Sequence, residues 1–167
     1  MRFSLLLAFP GLMISASPIH GPPPLTGPVD LVLVDKSERM MWLMSGPRTL
    51  RQYRIALGGN PVGHKEREGD ERTPEGRYLL DWRNPDSCCH KSMHVSYPNE
   101  ADKAAAKVRG VDPGGLIMIH GQINGTEAFQ RTTQLFDWTN GCIAVTNQEM
   151  DEIWDLVADN TPIEIRP

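Results

Sequence analysis

The chain has 167 residues, a formal net charge of −4 and three cysteines. That length supports one domain with a real core, and the acidic balance supplies no basic footprint for nucleic acid. Beyond the first few residues no apolar run is long enough to span a bilayer.

The chain starts with one charge at Arg2, an apolar stretch over 3–14 and the small residues Ser15-Ala16-Ser17. This is the layout of a secretory signal, so residues 1–17 are expected to direct export to the periplasm or cell envelope, with cleavage after Ala16. An uncleaved anchor, or a start codon placed too early, is the alternative. Residues 18–28, with Pro22-Pro23-Pro24, read as a stiff linker, and 29–167 as the folded domain.

Within that domain, 29–34 is an apolar strand, Lys36 to Arg39 a polar turn, and 40–44 the return of a hairpin. A third strand is expected over 49–57. The segment 58–76 is long, glycine-punctuated and charged, and structureless loops of that length usually carry function. Individually, His64, Lys65, Glu66 and Arg67 read as solvated. Its end, Thr73-Pro74-Glu75-Gly76, is a turn.

Strands follow at 77–82 and 91–95, the second placing Met93 and Val95 opposite His94. Asn99 caps a short helix that stops at Gly110. An apolar run at 116–119 ends on His120-Gly121. After a polar excursion, Asp137-Trp138-Thr139-Asn140-Gly141-Cys142 leads into a second apolar run at 143–145. Thr146 and Glu149 form a capping box. Met150, Ile153, Trp154 and Val157 then make one helical face, and 162–165 is a closing strand. About seven short strands and two short helices predict a mainly antiparallel β-sandwich.

A histidine closing one apolar strand and a cysteine opening another meet if the strands are neighbours, which assembles a thiol–imidazole pair. Cys142 is the candidate nucleophile and His120 the candidate base. The thiolate is the reactive form, so a base or cationic neighbour is expected to lower the thiol pKa. Backbone N–H groups around Gly141 and Cys142 are placed to hold an oxyanion. Cys88 and Cys89 are competing thiols, but neither has an adjacent glycine or a strand-end histidine matched to it. His94, Trp138, Thr139 and Asn140 are candidate substrate contacts. Each also has a plainer reading, as sheet histidine, core aromatic or turn residue.

These residues resemble the signature of the L,D-transpeptidase (YkuD-type) family: His-Gly, a variable loop, then Ser/Thr-x-Gly-Cys. Here the match is His120-Gly121 and Thr139-Asn140-Gly141-Cys142, extending upstream to Arg72-Thr73-Pro74-Glu75-Gly76. The resemblance implies a β-sandwich catalytic fold, peptidoglycan peptide stems as substrate, no cofactor, and a histidine held through its other ring nitrogen by a backbone carbonyl near Gly121. Two positions depart from the pattern: Asn140 where histidine is frequent, and Ala144 where arginine is common. These leave L,D-carboxypeptidase or amide hydrolysis as the alternative to transpeptidation. Other readings are a zinc site built from His94, His120 and Cys142, and a non-catalytic wall-binding module. No nucleic acid and no protein partner is implied.

Overall fold

The computed structural model describes residues 27–167; the expected signal sequence and nearly all of the linker lie outside them. Eight strands form one sheet. They are β1 (Leu31–Asp35), β2 (Met40–Ser45), β3 (Arg48–Arg54), β4 (Gly76–Ser87), β5 (His90–Val95), β6 (Met118–His120), β7 (Ile143–Ala144) and β8 (Thr161–Arg166). Their order is β3-β2-β1-β8-β4-β5-β6-β7. Past β3 the chain bridges back to β7 through Ala56 and Ala144, which exchange two backbone hydrogen bonds of 2.9 and 2.8 Å. The sheet therefore curls onto itself around a single core that includes Val32, Val34, Leu43, Leu80, Met93, Ile119 and Ile163.

The sheet is mixed rather than strictly antiparallel, as β1 runs parallel to β8 and β6 parallel to β7. The physical reason lies in the connections. Parallel neighbours need a crossover of a dozen or more residues, and the polar excursion after His120 is that crossover. It is built from a 3-10 turn (Glu127–Phe129) and a short helix α2 (Gln130–Thr133). The other helices are α1 (Glu100–Arg109) and α3 (Asn147–Leu156). Both start in complete capping boxes, Asn99 with Asp102 and Thr146 with Glu149, a cap side chain contributing about 1 kcal/mol. Helix α3 buries Met150 and Ile153 in the core.

Two strands differ from their expected lengths. β3 stops at Arg54, and 55–57 continues as the bridge to β7. β4 runs on to Ser87 through Pro85. It pairs with β8 only over 76–80 and beyond that with β5 alone, so proline removes no N–H from a two-sided ladder.

The polar turn also holds a surprise. The Lys36 side chain is only 2 % exposed and points inward. Its ammonium donates to the carbonyls of Gly63 and Thr73 and pairs with Glu75 at 2.7 Å. It thereby ties the long segment 58–76 to the end of β1.

Candidate active site

β6 and β7 lie side by side in parallel, with Ile119 opposite Ile143 and His120 opposite Ala144. Ile119 and Ile143 point into the core. Side chains alternate across a strand, so His120 and Cys142 both project from the outer face. They are offset by one register step, which makes them diagonal neighbours. The crossover leaves from the last residue of β6 and returns just ahead of β7, which brings a histidine and a cysteine 22 positions apart in sequence onto neighbouring strands.

His120 is buried, and its Nδ1 lies 2.6 Å from the Gly121 carbonyl oxygen. A carbonyl only accepts, so Nδ1 carries the proton and Nε2 is the basic nitrogen. Trp138 packs edge-on against the ring, with centroids 5.6 Å apart. Burial pushes the imidazole below its ordinary pKa, partly offset by the Gly121 carbonyl. Gly121 is needed for close approach. A Cβ there would lie 2.6 Å from Asn147 Oδ1 and 2.9 Å from His90 Cβ, and Asn147 Oδ1 accepts the neighbouring Gln122 N–H at 2.7 Å.

The nucleophile loop is shaped by Thr139. Its hydroxyl donates to the Cys142 carbonyl at 2.8 Å and accepts the Gly141 N–H at 3.1 Å. These two bonds fix the turn that carries the Cys142 thiol. Gly141 has φ of 121°, a left-handed value suited to glycine. A Cβ there would lie 2.6 Å from the Arg72 carbonyl oxygen. Thr73 Oγ1 donates to the Gly141 carbonyl at 2.9 Å, so the Arg72-Thr73 pair braces the nucleophile loop from across the cleft.

The Cys142 thiol donates to the Leu116 carbonyl at 3.6 Å. Leu116 itself has φ of 53°, an uncommon conformation for a non-glycine residue. The expected lowering of the thiol pKa is not what the free site shows. Burial pushes it up, and neither the Met118 backbone N–H nor the more distant Lys65 ammonium cancels that. In the free site burial thus disfavours both the thiolate and the imidazolium.

The competing thiols lie beside the site: the Cys89 carbonyl packs against Gly121, and both thiols are within electrostatic reach of Cys142. Cys88 and Cys89 form the tip of the β4–β5 hairpin, with sulfurs 3.1 Å apart. Burial, then the Cys88 contact, pushes the Cys89 thiol up to about 12. His94 turns to Asp81, with Nδ1 2.6 Å from Oδ1, and stacks on Trp82. Among the described residues no group of three or more His, Cys, Asp or Glu side chains is arranged to hold a metal, so the three imagined zinc ligands do not converge. Asn140 is exposed and lines a cavity of about 350 Å³ with Lys65, Glu68, Glu71 and Gly114. Lys65, expected to be solvated, is buried and paired with Asp70 at 2.8 Å.

The sequence profile of the YkuD L,D-transpeptidase catalytic domain matches residues 30–165. The chain belongs to that family. A YkuD relative, the Escherichia coli K12 protein YafK, a candidate L,D-transpeptidase, is 34% identical over 111 residues, covering 65% of this chain and 37% of YafK. The helical cell shape determining protein Pgp2 of Campylobacter jejuni superposes with a TM-score of 0.62 at 27% identity, over 81% of this chain and 46% of Pgp2. An L,D-transpeptidase from Xylanimonas cellulosilytica shares the fold, with a TM-score of 0.56 at 16% identity, over 87% of this chain and 64% of that one. This YkuD domain spans less than half the length of YafK and of Pgp2.

Sequence reasoning missed the inward turn of Lys36, the burial of Lys65 and the Trp82–His94 stack. Only the last had a usable signal: an aromatic and a histidine on strands adjacent in the chain.

Proposed function

We propose that the domain is a cysteine acyl-transfer enzyme acting on peptidoglycan stem peptides in the cell envelope. The observation that carries this is the tautomer of His120. Its Nδ1 proton is committed to Gly121, leaving Nε2 as a base on the face that also bears Cys142.

The steps follow from the geometry. His120 Nε2 takes the Cys142 proton as Sγ attacks the carbonyl after the stem's diamino acid. The Cys142 backbone N–H holds the developing oxyanion, while the Gly141 N–H stays on Thr139 and fixes the loop. The C–N bond breaks, the leaving amine takes the proton from the imidazolium, and a Cys142 thioester remains. An amine acceptor (transpeptidation) or water (hydrolysis) then cleaves the thioester, with His120 again moving the proton.

Hydrolysis is the second reading, and a specific observation favours it. Gln122 and Thr133, two crossover groups suited to an acceptor peptide, are spent on internal hydrogen bonds. The position of Ala144 is fully buried and offers no cation.

The test is incubation with purified tetrapeptide-stem muropeptides and an amine acceptor, with both products followed by mass spectrometry. Cys142→Ala should abolish all turnover, and turnover that persists would refute the mechanism. His120→Ala should slow acylation by about two to four orders of magnitude. Accumulation of the water-cleaved product alone, in acceptor excess, would decide for the hydrolase.

These two directions have a pH signature. Burial places the His120 pKa below its ordinary value, so the base stays unprotonated, and kcat/KM stays high, until the pH falls well into the acid range. The thiol is raised, so iodoacetamide alkylation of Cys142 should climb only at alkaline pH. A plateau of fast alkylation near neutrality would show an ion pair instead.

A further inference from the structure

The outer face of β4 and β5 carries a group that the proposed reaction does not use. Trp82 stacks on His94 with ring centroids 4.8 Å apart and planes 17° from parallel. The His94 ring is fixed in turn by Asp81 at 2.6 Å. Trp82 is 40% exposed and the neighbouring Leu79 41%, and neither belongs to the core. A tryptophan face open to solvent, backed by a clamped imidazole and edged by a carboxylate, is a rigid aromatic plate with a hydrogen-bond acceptor at its rim.

Its position relative to the nucleophile is set by sheet register. His94 lies opposite Met118 on β6, and Met118 is one step before Ile119, as Cys142 is one step before Ile143. His94, Met118 and Cys142 therefore form one row across the outer face. Adjacent strands are about 4.8 Å apart, so His94 lies about 10 Å from Cys142 and Trp82, one strand further, about 15 Å.

We propose that Trp82, with His94 and Asp81, is a binding subsite for the pyranose rings of the glycan strand to which the stem is attached. This rests on the stem-peptide reading above. The apolar face of a sugar ring stacks on the exposed indole, and Asp81 accepts from a ring hydroxyl. The reach agrees. A stem places about three residues between the sugar and the attacked carbonyl, and three extended residues span about 10 Å. A carbonyl at Cys142 thus brings the first sugar level with His94, and the width of the ring covers the last strand spacing to the indole. Leu116, 71% exposed and with its carbonyl on the Cys142 thiol, offers an apolar flank for the stem.

The experiment compares kcat/KM for the same stem with and without its disaccharide. Wild-type protein should prefer the sugar-linked stem by about ten-fold, the worth of one good stacking contact. Trp82→Ala should erase that preference while leaving turnover of the sugar-free stem unchanged, and Asp81→Asn should reduce it several-fold. Equal loss on both substrates, or an unchanged preference, would overturn the subsite. Turnover of neither substrate by the wild-type protein would instead count against the proposed reaction. In that event, binding of peptide-free glycan strands to Cys142→Ala, weakened by adding Trp82→Ala, still supports the plate. Equal binding by the single and double variants refutes it.

Discussion

Two long segments flank the catalytic pair, and they are held by opposite kinds of chemistry. The segment 58–76 is clamped by charge. Asp70 accepts from the Lys65 ammonium and from the backbone N–H groups of Glu66, Arg67 and Arg72. Lys36 pairs with Glu75. His64 accepts the Glu75 N–H and reaches Asp102 on α1 at 3.1 Å. The crossover 121–142 is clamped mainly by neutral amides. Gln122 Nε2 donates to Gln134 Oε1 and to the Val145 carbonyl, and Gln134 Nε2 donates to the carbonyls of Arg54 and Ala144. The charged clamp carries the brace on Gly141, while the amide clamp fixes the crossover that joins base to nucleophile. The first has several carboxylate contacts to lose in acid, whereas in the second the main one is Asp137, paired with Arg39 at 2.8 Å.

The sharpest way to break the charged side is at its point of contact with the nucleophile. Gly141→Ala puts a methyl against the Arg72 carbonyl at a left-handed φ. It should cost about 10²–10³ in kcat/KM, the scale of a displaced oxyanion donor. Steady-state kinetics together with a thermal melt would test this, and near-normal turnover would show that the brace is idle. Breaking the amide side should cost stability instead. Gln134→Leu strips buried partners from Gln122 and two carbonyls, and should destabilise by roughly 3 kcal/mol. Urea titrations should find the same loss at pH 7 and pH 4.

Asp70→Asn separates the two clamps by pH. Burial alone would raise the Asp70 carboxyl, but the Lys65 ammonium and the backbone N–H donors outweigh it and hold its pKa at about 2. A carboxylate pKa depressed on folding contributes stability that is complete above its unfolded value near 4 and lost as the pH falls to about 2. The wild-type domain should therefore lose about 2 kcal/mol across that interval. Asp70→Asn should lack that slope and be less stable by a similar amount at pH 7. Parallel acid titrations of the two proteins would reject the charged clamp. The smallest effect is expected at Arg77, whose ion pair with Glu164 is largely exposed. Arg77→Ala should change stability by less than about 1 kcal/mol, and a larger change would mean that surface charge also supports the sheet.

The strands were legible where apolar runs sit between polar turns, and the helices where Asn99 and Thr146 announce their caps. The placement of His120 and Cys142 on neighbouring strands was legible because a short motif fixes the residue types around them. Three things were not legible, each for a physical reason. The parallel pairing of β6 with β7 depends on where the crossover lands, which alternation within one strand does not encode. Lys36 looked like a turn residue because its acceptors, Gly63, Thr73 and Glu75, lie far along the chain. The pKa directions at Cys142 and His120 follow from burial, and local sequence does not say how deep a strand end lies. His94 was placed on the correct face, opposite Met93 and Val95. Its stacking partner was hidden by the β4 register shift between Leu80 and Arg83.

β8, the last strand in chain order, lies in the middle of the sheet, hydrogen-bonded to β1 on one side and β4 on the other. Apart from the bridge through Ala56 and Ala144, the two halves of the sheet share no strand until β8 is in place. A chain emerging during synthesis thus carries both Cys142 and His120 before it can close its sheet. The tally of sequence-distant contacts is completed last, and pairing of that kind is slow. Closure of the sheet around its core is thereby timed to the arrival of the final strand.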